Sequence, residues 1–263
     1  MLRNDRPRTL PSPKTGVYQS HREEKKIMNT RSEQLPQNAP EAVGLHGKMK
    51  LIGIVVLAYA SSMFAQIVVF GATEAPDYKA PLDAVLAYHA NNQGALAVTS
   101  GLEAANMVLL LSFVTALHGL VQRRGGAGAD WSRLAIAAGT TFSALSALTI
   151  ATHISVVLAA DGLPEPTPSF QLMWQFHGAA FALGLPALGA TFIGAALATH
   201  ASGLTRPWQR VLGIVGGSLP ILAGAGNLAI AQGSPLLFAG VLGLFAWLFW
   251  LVSTGVRLIR GSS

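Results

Sequence analysis

The sequence predicts an all-α fold, a polytopic membrane bundle of six transmembrane helices with both termini cytoplasmic. Three observations predict it. The chain has 263 residues of which 51% are hydrophobic and only 11% charged, far too apolar a balance for a soluble domain of that size. Apolar runs of roughly 20 residues or more recur along it, the length needed to cross a hydrocarbon core about 30 Å thick. Arg and Lys mark every second connection between those runs, the signature of cytoplasmic loops. The net charge of +6 is therefore an orientation signal, and the partner it implies is a lipid bilayer and not nucleic acid. Cysteine is absent, which excludes disulfides, thiolate nucleophiles and cysteine-ligated metal and leaves the redox compartment open.

Residues 1–48 mix Arg, Lys, Glu, Gln, Pro and Asn with too few apolar side chains to cover a core, and read as a disordered polar, basic cytoplasmic tail. The tail is too polar for a secretory leader, and Met1, Met28 and Met49 each stand where translation could start. The transmembrane domain then occupies residues 49–260. Its first span covers 51–72, with Tyr59, Ser62 and Gln66 on one face. An outer loop comes next at 73–94, punctuated by Pro76 and Pro81 and carrying a short surface helix. The second span, 95–121, closes on Arg123, Arg124 and a glycine-rich turn, which places that end in the cytoplasm. The third, 134–160, emerges into Asp161, Glu165 and a proline cluster free of Lys and Arg, and so ends outside. The fourth, 170–199, returns to His200, Arg206 and Arg210. The fifth takes 211–231, and the sixth takes 235–256 before Arg257 and Arg260.

Small residues recur at helix-packing spacing in Ala182, Pro186, Ala190 and Gly194, and again in Gly213, Gly216, Gly217, Pro220 and Gly224. Inside lipid such stripes let backbones approach and gain dispersion contacts. Pro186 and Pro220 are expected to kink their helices.

The order of a first span, a loop with a short amphipathic helix, then Phe176, His177 and Gly178, then Ser202, Gly203, Leu204, Thr205, Arg206, Pro207 and Trp208, resembles an uncharacterised family of bacterial multi-span integral membrane proteins classified only as a domain of unknown function. The resemblance covers roughly residues 50 to 230. It implies a bundle of about six helices in a bacterial cytoplasmic membrane and carries over no catalytic residue.

The polar residues at membrane depth locate a candidate site. At about 1.5 Å per residue, Gln66, Glu103, His153 and His177 lie roughly 9 to 12 Å inside the outer ends of their spans, with Asn227 shallower. Asn106 shares a helix face with Glu103 and Thr99, and Trp174 stands at the outer mouth. Gly139, Ser143, Ser146, Thr149 and His153 form a hydroxyl-rich stripe on the third helix. A lone carboxylate at this depth costs a few kcal/mol or more, so Glu103 belongs inside the bundle, neutral, paired or wetted. The cluster admits three readings. In the first, Glu103, Asn106, His153, His177, Gln66, Asn227 and Trp174 bind a small ligand or conduct an ion. In the second they form a hydrogen-bond network that only fixes helix register. In the third, Glu103, His153 and His177 ligate a metal or haem in a redox protein, though no i, i+3 or i, i+4 ligand pair appears.

The remaining histidines point elsewhere. His118 and His200 near helix ends suit interfacial roles, and His89 in the outer loop could go either way. Trp131, Trp208, Trp247 and Trp250 are expected near the cytoplasmic interface as an aromatic belt. There is no phosphate loop, nucleophile elbow, His-Glu-x-x-His or clear internal repeat, so no motif supports ATP hydrolysis, and enzymatic activity and transport are disfavoured. No catalytic residue or cofactor is indicated, and the oligomeric state is left open.

Overall fold

The computed structural model describes the backbone of residues 39–261 and the side chains of residues 46–261. The tail expected over 1–48, with Met1 and Met28, lies outside the described residues as far as residue 38. The chain divides between Gly47 and Lys48, and the larger unit, from Lys48 onward, holds the helical bundle.

The described residues form helices joined by short turns, with no strand among them. In chain order they are α1 Ala39–Ala72, α2 Leu82–Asn91, α3 Gln93–Arg123, α4 Ala129–Ala160, α5 Pro168–Ala201, α6 Pro207–Ala225, α7 Asn227–Ala231 and α8 Leu237–Arg260. Five stretches, His46–Ala72, α3, α4, α5 and α8, are long and apolar enough to cross a membrane. That is the make-up of a membrane protein. It also explains why Leu51, Val108, Leu158, Leu172 and Phe238 can stand exposed, since lipid solvates them as well as a core would.

The fifth expected span is the one that falls short. Over 211–231 the helix ends at Ala225, Gly226 caps it through Ala223 and Gly224, and α7 adds a separate turn of five residues. Gly213, Gly216, Gly217, Pro220 and Gly224 are buried, so α6 is held by close backbone approach to its neighbours and not by bulk.

α5 is the most enclosed of the five long apolar helices, and it packs on both α4 and α6. A Cβ on Gly194 would lie 2.8 Å from both the Ala135 nitrogen and the Trp131 carbonyl oxygen, so α5 and α4 touch backbone to backbone. On the α6 side, a Cβ on Gly217 would stand 2.7 Å from the Gly189 carbonyl oxygen, and Gly224 packs on Pro186. Both α5 and α6 continue past their prolines, which sit where a neighbouring glycine leaves room: Pro186 against Gly224, Pro220 against Gly243 of α8. α8 closes on α1 in the same way, with Gly53 beside Gly255. Without water to drive association, such contacts hold helices through dispersion over many atoms.

The interior is divided along its length. Toward the arginine end, Phe113 of α3, Phe192 of α5 and Trp247 and Trp250 of α8 form a fully buried aromatic plug. The two indoles stack at 5.4 Å and 8°, and Tyr59 of α1 meets Trp247 edge-on at 6.4 Å. Trp247 and Trp250 are thus core and not belt. Trp131 and Trp208 do remain exposed.

Charge is arranged along the same axis. Glu74, Asp77, Asp83, Asp161 and Glu165 lie beyond one set of helix ends, where Lys79 is the basic residue; Lys48, Lys50, Arg123, Arg124, Arg133, Arg206, Arg210, Arg257 and Arg260 lie toward the other. At that basic end Arg124 donates to the Ser202 carbonyl oxygen at 3.4 Å, and Arg257 to that of Leu204 at 2.8 Å.

The segment between α1 and α3 is more than a surface loop. The face of α2 formed by Val85, Leu86 and His89 is buried against Val156, Ala160, Phe170 and Trp174. The segment therefore packs down onto the acidic ends of α4 and α5. α1 stops before it because Glu74 adopts a φ of 52° and Thr73 returns its hydroxyl to the Val69 carbonyl at 2.9 Å, a left-handed helix end closed by a side chain.

Candidate functional site

Glu103 and Asn106 stand three apart on α3 and so point to the same side. Opposite them Gln66 on α1 bridges both. Its Nε2 donates to Glu103 Oε1 at 2.7 Å, and its Oε1 accepts from Asn106 Nδ2 at 3.2 Å. The three side chains form a directed relay in which each amide gives its hydrogen toward the carboxylate. The relay leaves two acceptors over. Glu103 Oε2 and Asn106 Oδ1 are buried and have no partner among the described residues, and Asn106 is only 9% exposed. Buried polar atoms are almost always satisfied, so two unused acceptors on one helix face call for a donor.

Gln66, Glu103 and Asn106 also line a cavity of about 260 Å³ between the helices. Five helices line it. α1 contributes Tyr59, Gln66 and Phe70, α4 contributes Phe142 and Thr149, and α5 contributes Phe181, while α3 and α8 complete the wall. Apart from the relay and the Ser146 and Thr149 hydroxyls, that wall is aliphatic or aromatic. Toward the basic end the cavity stops at Tyr59, whose ring rests on the Trp247 plug.

The histidines form a second group, closer to the acidic end. The rings of His153 and His177 lie 5.1 Å apart, and those of His89 and His153 lie 5.6 Å apart. Trp174 stacks on His177 at 5.4 Å, and Tyr78 covers both from the loop at 5.1 and 6.0 Å. Two of the imidazoles are tethered by backbone: His89 Nδ1 to the Val85 carbonyl at 2.7 Å and His177 Nδ1 to that of Thr149 at 3.1 Å. His153 Nδ1 has no partner among the described residues.

The single cluster of Glu103, His153 and His177 thus resolves into two sets. The hydrogen bond of Glu103 goes to Gln66, and the histidines meet one another through their rings. The sets share neighbours: Thr149 lines the cavity and accepts from His177, and Phe70 lines it and packs on His153 at 6.3 Å. No group of three or more His, Asp or Glu among the described residues is arranged to hold a metal ion. Asn227, exposed at the start of α7, is not brought to either set. Trp174 is buried in the histidine group and does not stand in a belt.

Tyr78 is the residue that sequence reasoning missed, and His89, which the sequence left open, joins the histidine group. Their segment reads as polar, but Val85, Leu86 and His89 repeat at helical spacing, which marks a buried face. Burial pushes the Tyr78 phenol well above its ordinary range, with the Glu103 carboxylate adding to the effect. Burial also holds the His89 imidazole below its ordinary value, against the opposing influence of its bond to Val85. The fold holds His89 neutral while the unfolded chain titrates near pH 6.5, so acid protonates the unfolded chain first and stability falls below about pH 6.5. Melting temperature in detergent should therefore drop between pH 7.5 and 5.5, and His89→Gln should flatten that slope; an unaltered slope would put the sensitivity in other groups.

No family model, curated protein or solved structure matches the chain.

Proposed function

We propose that this is a six-pass protein of the bacterial cytoplasmic membrane that binds a small, largely apolar molecule with an amine head in the outer half of its bundle. The topology counts α6 with α7 as a crossing beside the five long apolar helices, because 19 residues of α6 reach about 28 Å, nearly the hydrocarbon thickness. The basic end faces the cytoplasm together with both termini, on the weight of its Arg and Lys residues.

One observation carries the reading: Glu103 and Asn106, each with a buried acceptor that has no partner among the described residues, line an otherwise apolar cavity. Size favours a molecule over an ion. A water-sized occupant needs about 10–15 Å³, so 260 Å³ is about twentyfold more than a bare ion would use and close to the lower limit of small-molecule sites. The aromatic plug below the cavity also disfavours ion conduction, since a hydrated ion would have to cross fully buried rings. Chemistry favours an amine. One N–H of Gln66 goes to the carboxylate and one of Asn106 to Gln66. The atoms of the set left without a partner are both acceptors, which suits an ammonium, and Tyr59, Phe70, Phe142 and Phe181 line the same cavity with aromatic rings.

The test is binding of phenethylamine to purified protein, by calorimetry or thermal shift, beside its hydrocarbon counterpart propylbenzene. The amine should bind at least about tenfold more tightly, the worth of one charge-assisted hydrogen bond. Glu103→Gln replaces the free acceptor by an N–H donor with little change of shape. It should erase that preference and leave the fold intact. Equal binding of the amine by both proteins, or none by the wild type, would return Glu103 to a structural role.

A further inference from the structure

The basic end carries a second concavity, separate from the central cavity. It lies between the start of α6 and the end of α8, measures about 270 Å³, and is lined by Arg206, Trp208, Gln209, Ser253, Arg257 and Arg260, among others. Its frame is fixed. Gln209 is buried and donates to Ser253 at 3.2 Å and Thr254 at 3.0 Å, while its carbonyl accepts from the Arg206 backbone at 2.9 Å. Arg257 is held through Nε by the Leu204 carbonyl, which leaves its terminal nitrogens for the groove. No carboxylate of the described residues lines it; the ion pair found among the described residues at this end is Arg133 with Asp130.

Orientation in the membrane asks for positive charge at this end, but not for its convergence in one groove from two helices. Three guanidiniums around one concavity match a phosphate group, whose oxygens accept the paired N–H donors that arginine presents. The surroundings identify the source. Trp208 is 43% exposed and packs on Phe249, itself 61% exposed, with their rings 5.9 Å apart. Along α8 exposed Val252 continues the apolar stripe toward the groove, and Val211 does so on α6. A soluble phosphate has no use for such a wall, whereas a lipid would lay its chains along it and its headgroup in the groove.

We infer that this groove binds the phosphodiester headgroup of an anionic membrane lipid. The site is independent of the central cavity and of what that cavity holds.

The test uses the full chain in detergent micelles, with melting temperature read after adding phosphatidylglycerol, phosphatidylcholine or glycerol phosphate. Phosphatidylglycerol should raise it more than phosphatidylcholine, and glycerol phosphate should leave it unchanged. Arg206→Gln with Arg260→Gln should lose most of the phosphatidylglycerol effect, while Arg123→Gln with Arg133→Gln, an equal change of charge at the same end, should keep it. Equal losses in the two double variants would reduce the effect to general electrostatics and overturn the site. A shift with glycerol phosphate as large as with the lipid would overturn the lipid as its source. A readout on the native arginines guards against misfolded variants: bromine-labelled phosphatidylglycerol should quench the fluorescence component lost in Trp208→Phe more strongly than bromine-labelled phosphatidylcholine. Equal quenching would overturn the proposal.

Discussion

Gly194→Leu should destabilise the bundle by about 3 kcal/mol or more, at the upper end of overpacking costs. The atoms in the way are backbone. A Cβ at this position would meet the Ala135 nitrogen and the Trp131 carbonyl oxygen at 2.8 Å and the Ala135 Cα at 3.1 Å. A flexible side chain could rotate aside, but two helix backbones can only separate. Separation would loosen α4 from α5, which also carry His153, His177 and the Thr149 wall of the cavity. Ala147→Leu is the control, because Ala147 is exposed on α4 and lipid accepts a leucine there within about 0.5 kcal/mol. Melting temperatures in detergent measure both. Equal values would mean that α5 does not pack through Gly194.

The small-residue stripe that leads to this expectation was legible in the sequence because membrane packing leaves a periodic trace: a glycine every few turns has no reason to recur except close approach. The apolar spans were legible for a similarly general reason, since length and hydropathy decide what can cross a bilayer. α6 was less so. Its apolar content resembles a span, but Gly226 and Asn227 end the helix, and neither breaks an apolar run strongly enough to be noticed in advance.

The candidate site was legible in its residues and not in its partners. Depth along each helix put Gln66, Glu103, His153 and His177 in one layer, and depth alone suggests that all of them converge. Rotation about each helix axis decides who meets whom, and nothing in the sequence fixes it. Gln66 turned out to serve Glu103 and Asn106, while the histidines turned toward Trp174 and Tyr78. Trp247 and Trp250 illustrate the same limit. Tryptophans near a helix end fit an interfacial belt, and only the positions of Phe113 and Phe192 make them core.

Those tryptophans set the second large effect. Trp247→Ala should cost about 3–5 kcal/mol, the usual range for removing a buried large aromatic side chain. Trp247 is fully buried and its ring contacts Tyr59, Phe113, Phe192 and Trp250 at centroid distances between 4.9 and 6.4 Å. No water is expelled on packing such a ring within lipid, so the loss is one of dispersion and ring-edge contacts that nothing nearby can replace. Its indole nitrogen has no partner among the described residues, so the polar end of the side chain adds nothing to offset the loss. Trp247→Phe keeps most of the ring contacts and should cost less than half as much. The position also predicts a change at the cavity, because Tyr59 lines it and leans on Trp247. Removing the indole takes away the support beneath that ring and extends the cavity toward the basic end. Binding of phenethylamine should then weaken in Trp247→Ala even where the protein remains folded, while Trp250→Phe, one turn further from the cavity, should leave it nearly unchanged. A stable Trp247→Ala protein with unaltered binding would show that the plug neither holds the bundle nor closes the site.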